Sequence, residues 1–145
     1  MGKGFTRRRS KKAKRNNIMA RYLLDTTTII DHLRGNKKVN SLLEEIGQRG
    51  DIAGCCCINI AEVYSGMRKK EEEKTDRFIE SLYYFEVTRE IAKLAGQLRR
   101  KYTKKGKTLS TTDVIIAATA ITYGLTLITK NIKHYPFPEL KIEEY

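Results

Sequence analysis

Short apolar runs of strand length recur along this chain, each followed by a segment of helical spacing, and that alternation constrains the fold more than any other feature. Residues 21–24 form an apolar run that ends at Asp25, and Ile29, Ile30 and Leu33 then repeat at helical intervals before Gly35. A second helical pattern over 39–46, closed by Gly47, leads into a run of small apolar residues at 51–57 that predicts a strand. Residues 59–66 and 71–82 read as helices and 83–87 as a β-prone run. Thr88, with Glu90 nearby, opens a long helix reaching residue 101, whose Ile91, Leu94, Ala95 and Leu98 share one face. After a polar loop at 104–107, Thr111 or Thr112 is placed to cap a helix through Tyr123, which Gly124 stops. Residues 125–129 predict another strand and 140–145 an edge strand.

Parallel neighbours need helical crossovers, so strands alternating with helices predict an α/β fold with a mainly parallel central sheet. Sites in such sheets gather outside the carboxyl ends of the strands, where Asp25 and the segment after Thr129 are expected.

With 145 residues and 40% apolar content the chain is sized for one domain with a real core. The charge is unevenly spread. Residues 1–18 contain eight Lys or Arg and no acid, so of the formal +12 only +4 belongs to residues 19–145. The boundary is therefore drawn there: a basic arm at 1–18, expected to be disordered alone and drawn to polyanions, and a folded domain at 19–145. An upstream extension of a chain that starts at Met19, just before the first strand, is the other reading of the arm. Cys55, Cys56 and Cys57 are consecutive, a spacing that suits neither a metal knuckle nor a disulfide framework, and they read as buried strand residues. Without a secretory pattern or a membrane-length apolar stretch, the expected compartment is a reducing cytoplasm.

Three acids stand out because each borders or interrupts apolar sequence: Asp25, Glu62 within 58–66, and Asp113 within 110–120. Clustered carboxylates repel, and a buried set calls for a hard cation such as Mg2+ or Mn2+. A cation so held activates water and neutralises charge on a phosphodiester without any histidine. His32 and His134 lack a paired-ligand spacing, and the chain has no phosphate loop, nucleophile elbow or zinc motif. Taken singly, Asp25 and Asp113 also suit helix N-termini and Glu62 a water-facing helix position, so the residues alone leave a structural role open.

Taken in order, Tyr22-Leu-Leu-Asp-Thr-Thr-Thr-Ile-Ile30, Ile60-Ala-Glu-Val-Tyr-Ser-Gly66, and Asp113-Val-Ile-Ile-Ala-Ala-Thr-Ala120 followed by Leu127-Ile-Thr-Lys-Asn131 resemble the motifs of PIN-domain ribonucleases, notably VapC-like toxins of type II toxin-antitoxin systems. The resemblance runs from Met19 to the end. It implies a PIN-like three-layer α/β/α domain and a metal-dependent endoribonuclease acting on single-stranded or loop RNA. Asp25, Glu62 and Asp113 match the family's metal-binding acids, and Thr26 or Thr27 matches a hydroxyl that orients the first Asp. Asn131 falls at the fourth polar position, with one negative charge fewer than the Asp also found there. His134-Tyr135 departs from the acid-aromatic pair that relatives often have. The resemblance further implies a homodimer and a cognate antitoxin that fills the groove. A non-catalytic RNA-binding module, and a PIN nuclease in RNA processing without an antitoxin, are the competing readings. For the RNA itself, Arg99, Arg100, Lys101, Lys104, Lys105 and Lys107, with Tyr102 interleaved, offer either a basic groove or a solvated helix end.

Overall fold

The computed structural model describes residues 19–145; the basic arm at 1–18 lies outside the described residues. The apolar run at 21–24 forms strand β1 (Arg21–Leu24), and Asp25 ends it by capping helix α1 (Thr26–Leu33). Asn36 caps α2 (Lys37–Gln48) by accepting from Val39 N–H at 3.2 Å. There follow β2 (Ile52–Cys55), α3 (Cys57–Gly66), a 3-10 turn (Lys69–Glu71), α4 (Glu72–Ser81) and the short β3 (Tyr83–Tyr84). Thr88 caps α5 (Arg89–Lys104), as the sequence predicts, and α6 (Thr111–Tyr123), β4 (Thr126–Thr129), a second 3-10 turn (Ile132–His134) and β5 (Lys141–Glu144) complete the order.

The five strands run β3-β2-β1-β4-β5, and every pairing is parallel. β1 is therefore central, with Leu23 opposite Gly54 on one side and Leu127 on the other. A strand flanked on both faces must bury alternate side chains in opposite directions. Leu23 and Leu127 enter a core with Ile91, Ala95 and Leu98 of α5 and Val114, Ile116 and Ala117 of α6. Tyr22, Leu24 and Ile128 enter a second core with Ile29, Ile46 and Val63 of the first three helices. Helices thus cover both faces, giving the three-layer α/β/α domain with a parallel central sheet. Each fully buried Leu or Ile contributes roughly 1.5–3 kcal/mol, so both layers hold β1 in place.

Three local expectations are corrected. Gly47 does not close α2; the helix runs through it, and the chain reverses at Gly50, whose φ of +74° is the left-handed conformation that glycine adopts freely. Neither Thr111 nor Thr112 caps α6; Ser110 does, its hydroxyl accepting from Asp113 N–H at 3.1 Å. Of the three cysteines only Cys55 and Cys56 are buried. Cys57 is exposed, because β2 stops at Cys55 and the next residues turn into α3.

Candidate active site

Asp25 stands at the carboxyl edge of the sheet, where β1 gives way to α1. Its Oδ1 accepts the Thr26 backbone N–H at 2.9 Å and the Tyr135 hydroxyl at 2.8 Å, and its Oδ2 accepts the Thr129 hydroxyl at 2.7 Å. The residue is 5% exposed and is met by three neutral donors, with no Lys or Arg paired to it among the described residues. Burying a carboxylate is costly unless such donors converge on it, so these contacts also fix its orientation.

Glu62 reaches the same place from α3. Its Oε1 accepts the Thr26 hydroxyl at 2.5 Å. That hydroxyl is steered from below by Asn59, fully buried on α3, whose Nδ2 donates to Thr26 Oγ1 at 3.1 Å while its Oδ1 accepts Cys56 N–H at 2.8 Å. Asp113, half-buried in the first turn of α6, has Oδ1 3.4 Å from the Tyr135 hydroxyl and Oδ2 3.5 Å from His134 Nδ1. Asn131 follows β4 directly; its N–H donates to Thr129 Oγ1 at 2.9 Å and its Nδ2 to Thr27 Oγ1 at 3.2 Å.

The five residues picked out from sequence, Asp25, Thr26, Glu62, Asp113 and Asn131, thus lie in one continuous polar set. Thr26 serves it differently from the expectation. Its backbone N–H, not its hydroxyl, bonds Asp25, and the hydroxyl goes to Glu62, because capping points the amide at the acid and leaves the side chain facing α3. The side-chain hydroxyls that orient Asp25 come from Thr129 and Tyr135, which the sequence reading did not select. Burial and the nearby Asp25 and Asp113 push the Tyr135 phenol far above its ordinary value, keeping it a neutral donor.

The donor set fits a hard divalent cation in kind: three carboxylates and an amide oxygen, with no thiol among them. As placed, the acids are linked through Thr26 and the Tyr135 hydroxyl rather than closed on one point, and among the described residues no three acidic, His or Cys side chains converge tightly enough to hold a metal ion. Asp25 Oδ2 accepts one hydrogen bond and has a second lone pair, so a ligand position is available without dismantling the set.

The family model for the PIN domain matches residues 22–140, a span that takes in every residue of this set. The chain belongs to the PIN domain family. Ribonuclease VapC19 of Mycobacterium tuberculosis is 34% identical over 120 residues, covering 82% of this chain and 96% of that protein. Ribonuclease VapC2 of Rickettsia felis is 31% identical over 133 residues, covering 86% and 97%. In three dimensions this PIN domain is similar to the crystal structure of VapBC2 from Rickettsia felis bound to a DNA fragment from its promoter, with a TM-score of 0.78, 25% identity, and 86% and 98% of the two chains covered. DNA-bound VapBC from Salmonella typhimurium shares the fold, with a TM-score of 0.76, 23% identity, and 87% and 98% covered. The resemblance to VapC toxins of type II toxin-antitoxin systems therefore holds in sequence and in fold.

The basic segment of this PIN domain divides differently from the sequence expectation. Arg99, Arg100 and Lys104 line a groove of about 550 Å3 between α5 and α6, together with Thr111. Tyr102 is not interleaved among them for stacking on a base. It is buried edge-on against Phe137, covered by Lys105 5.1 Å from its ring centre, since it falls on the core-facing side of α5 with Ala95 and Leu98. Arg99 is anchored, its Nε donating to Leu109 O at 2.8 Å. No helix among the described residues is long and apolar enough to cross a membrane.

Proposed function

We propose that this PIN domain is a divalent-metal-dependent endoribonuclease, the toxin component of a toxin-antitoxin pair working in the cytoplasm. The observation that carries the reading is the linked set of Asp25, Glu62 and Asp113 at the carboxyl edge of the sheet, where among the described residues Asp25 and Glu62 are met by neutral donors. Carboxylates met by neutral donors in a half-buried site call for positive charge from beyond the described residues. The family relationship to proteins named as ribonucleases supports RNA as substrate.

Asp25, Glu62 and Asp113 would hold the cation, Mg2+ or Mn2+. When bound it supplies charge neutralisation on the scissile phosphodiester and activation of a water. Asp25 is the most rigid of the three, locked by Thr26, Thr129 and Tyr135. Asn131, tied to Thr27, borders the acids as a neutral hydrogen-bonding group for substrate, and the fixed Thr26 hydroxyl sets the direction of Glu62. The groove lined by Arg99, Arg100 and Lys104, which Thr111 and Val114 on either side of Asp113 also line, offers phosphate contacts.

The structural relatives include toxin-antitoxin complexes, which supports an antitoxin as partner, and a homodimer is part of the same reading. The test is cleavage of a panel of single-stranded and structured RNAs with Mg2+ or Mn2+, against an EDTA control and Asp25→Asn. Metal-dependent cutting that disappears in the variant is expected. Salt-sensitive RNA binding with no cutting under any metal would replace this reading with an RNA-binding module.

A further inference from the structure

We propose that Tyr135 is a positioning residue for the metal-binding acids: its buried hydroxyl, shared between Asp25 and Asp113, holds these two carboxylates in the relative orientation a cation needs. The inference rests on the metal-site reading above and adds to it a residue that contributes no carboxylate.

The geometry is specific. Tyr135 closes the 3-10 turn after β4 and is 2% exposed, its ring packed in the core that α5 and α6 share with the sheet. A phenylalanine would fill that space equally well, and a buried hydroxyl without partners is unfavourable, so the hydroxyl is explained by what it meets. It meets the acids: Asp25 Oδ1 at 2.8 Å and Asp113 Oδ1 at 3.4 Å. These carboxylates belong to different elements, the N-cap of α1 and the first turn of α6. Among the described residues Tyr135 is the side chain hydrogen-bonded to both.

A phenol has one proton, so the bond to Asp25 is the firm one and Asp113 is held at the longer distance. Asp25 Oδ1 is filled by Thr26 N–H and Tyr135, which turns Oδ2, with its remaining lone pair, into the position available for a ligand. Removing the phenol oxygen leaves Oδ1 with the Thr26 N–H alone and loosens the carboxylate's orientation, while Asp113 loses its link to Asp25. Outer partners of this kind orient ligating groups, and their loss typically lowers metal affinity by about 10–100-fold.

The test is Mn2+ titration of the RNA-free protein, followed by electron paramagnetic resonance, for wild type, Asp25→Asn and Tyr135→Phe, with thermal melting as a fold control. Tyr135→Phe keeps the ring and is expected to melt within a few degrees of wild type. Its Mn2+ affinity is expected to fall about tenfold or more. Binding lost in Asp25→Asn but kept at wild-type strength, or tightened, in Tyr135→Phe overturns this inference alone. Equal binding in wild type and Asp25→Asn overturns the metal-site reading, and this inference with it.

Discussion

The two ends of the central sheet both bury acids, and they treat them in opposite ways. At the amino end Asp51 precedes β2 with a side chain 3% exposed, accepts Ala20 N–H at 3.2 Å, and pairs with Arg49 Nε at 3.0 Å. Arg49 also holds Glu45 at 2.8 Å and reaches the Tyr22 hydroxyl at 3.4 Å. At the carboxyl end, among the described residues, Asp25 and Glu62 receive only hydroxyls and an amide, and Asp113 has the exposed His134 at 3.5 Å. Among the described residues, one end balances its charge with Arg49 and the other meets Asp25 and Glu62 with neutral donors. An acid paired to a buried guanidinium is part of the scaffold, whereas acids held only by neutral donors are oriented without being neutralised, which is how a cation site is prepared in advance.

If that contrast is sound, the same chemical change at the two ends has different consequences. Asp25→Asn is expected to lower RNA cleavage at least about 100-fold, the scale on which charge stabilisation in active sites operates, with little loss of thermal stability because Asn is an equally good helix cap. Cleavage rates and melting of one preparation check both halves. Asp51→Asn is expected to do the reverse. Cleavage by the folded fraction is retained, and stability falls by about 2–3 kcal/mol in urea unfolding, somewhat under the ~3–5 kcal/mol for an abandoned buried charge because Glu45 still holds Arg49. Swapped outcomes would break the comparison.

Thr129→Val sharpens it from within the carboxyl end. The variant removes a donor to Asp25 Oδ2 and the acceptor of Asn131 N–H, so cleavage is expected to drop about tenfold and stability by roughly 1–3 kcal/mol, with Thr129→Ser restoring most of both. The smallest effect concerns a group at neither end. His32 on α1 stacks on Phe78 and meets Asn40 Oδ1 at 2.6 Å. Burial lowers its pKa despite the raising effect of Asn40, so the unfolded chain takes up the proton more readily. This contribution to stability is complete above the ordinary histidine value, about 6.5, and is lost as pH falls through it toward the folded value. Melting temperatures from pH 7 to 5 should decline less steeply in His32→Gln than in wild type.

What could be read from the chain beforehand follows the range of the interactions involved. The strand-helix alternation, the caps at Asp25 and Thr88 and the stop at Gly124 are local, and each appears where periodicity places it. The acids were legible because charge interrupting apolar sequence is conspicuous. Their supports were not. Thr129 reads as the last residue of an apolar strand and Tyr135 as one aromatic in a turn, and their partner Asp25 lies 104 and 110 positions away. Asn59 looks like any polar helix residue until α3 packs its amide under Thr26. Cys57 and Tyr102 were misplaced for a related reason: one sits just beyond the end of β2, and the other turns inward among basic neighbours.

The distance along the chain between Asp25 and its two hydroxyl donors also sets a timetable. The first acid emerges from the ribosome 104 and 110 residues ahead of the two hydroxyls that orient it, on Thr129 and Tyr135. A nascent chain carrying β1, α1 and even Glu62 therefore has the acids without the frame that aims them. The acidic edge is complete only once β4 has docked beside β1 and the turn ending at Tyr135 has closed, so the first acid waits on sequence made long after it.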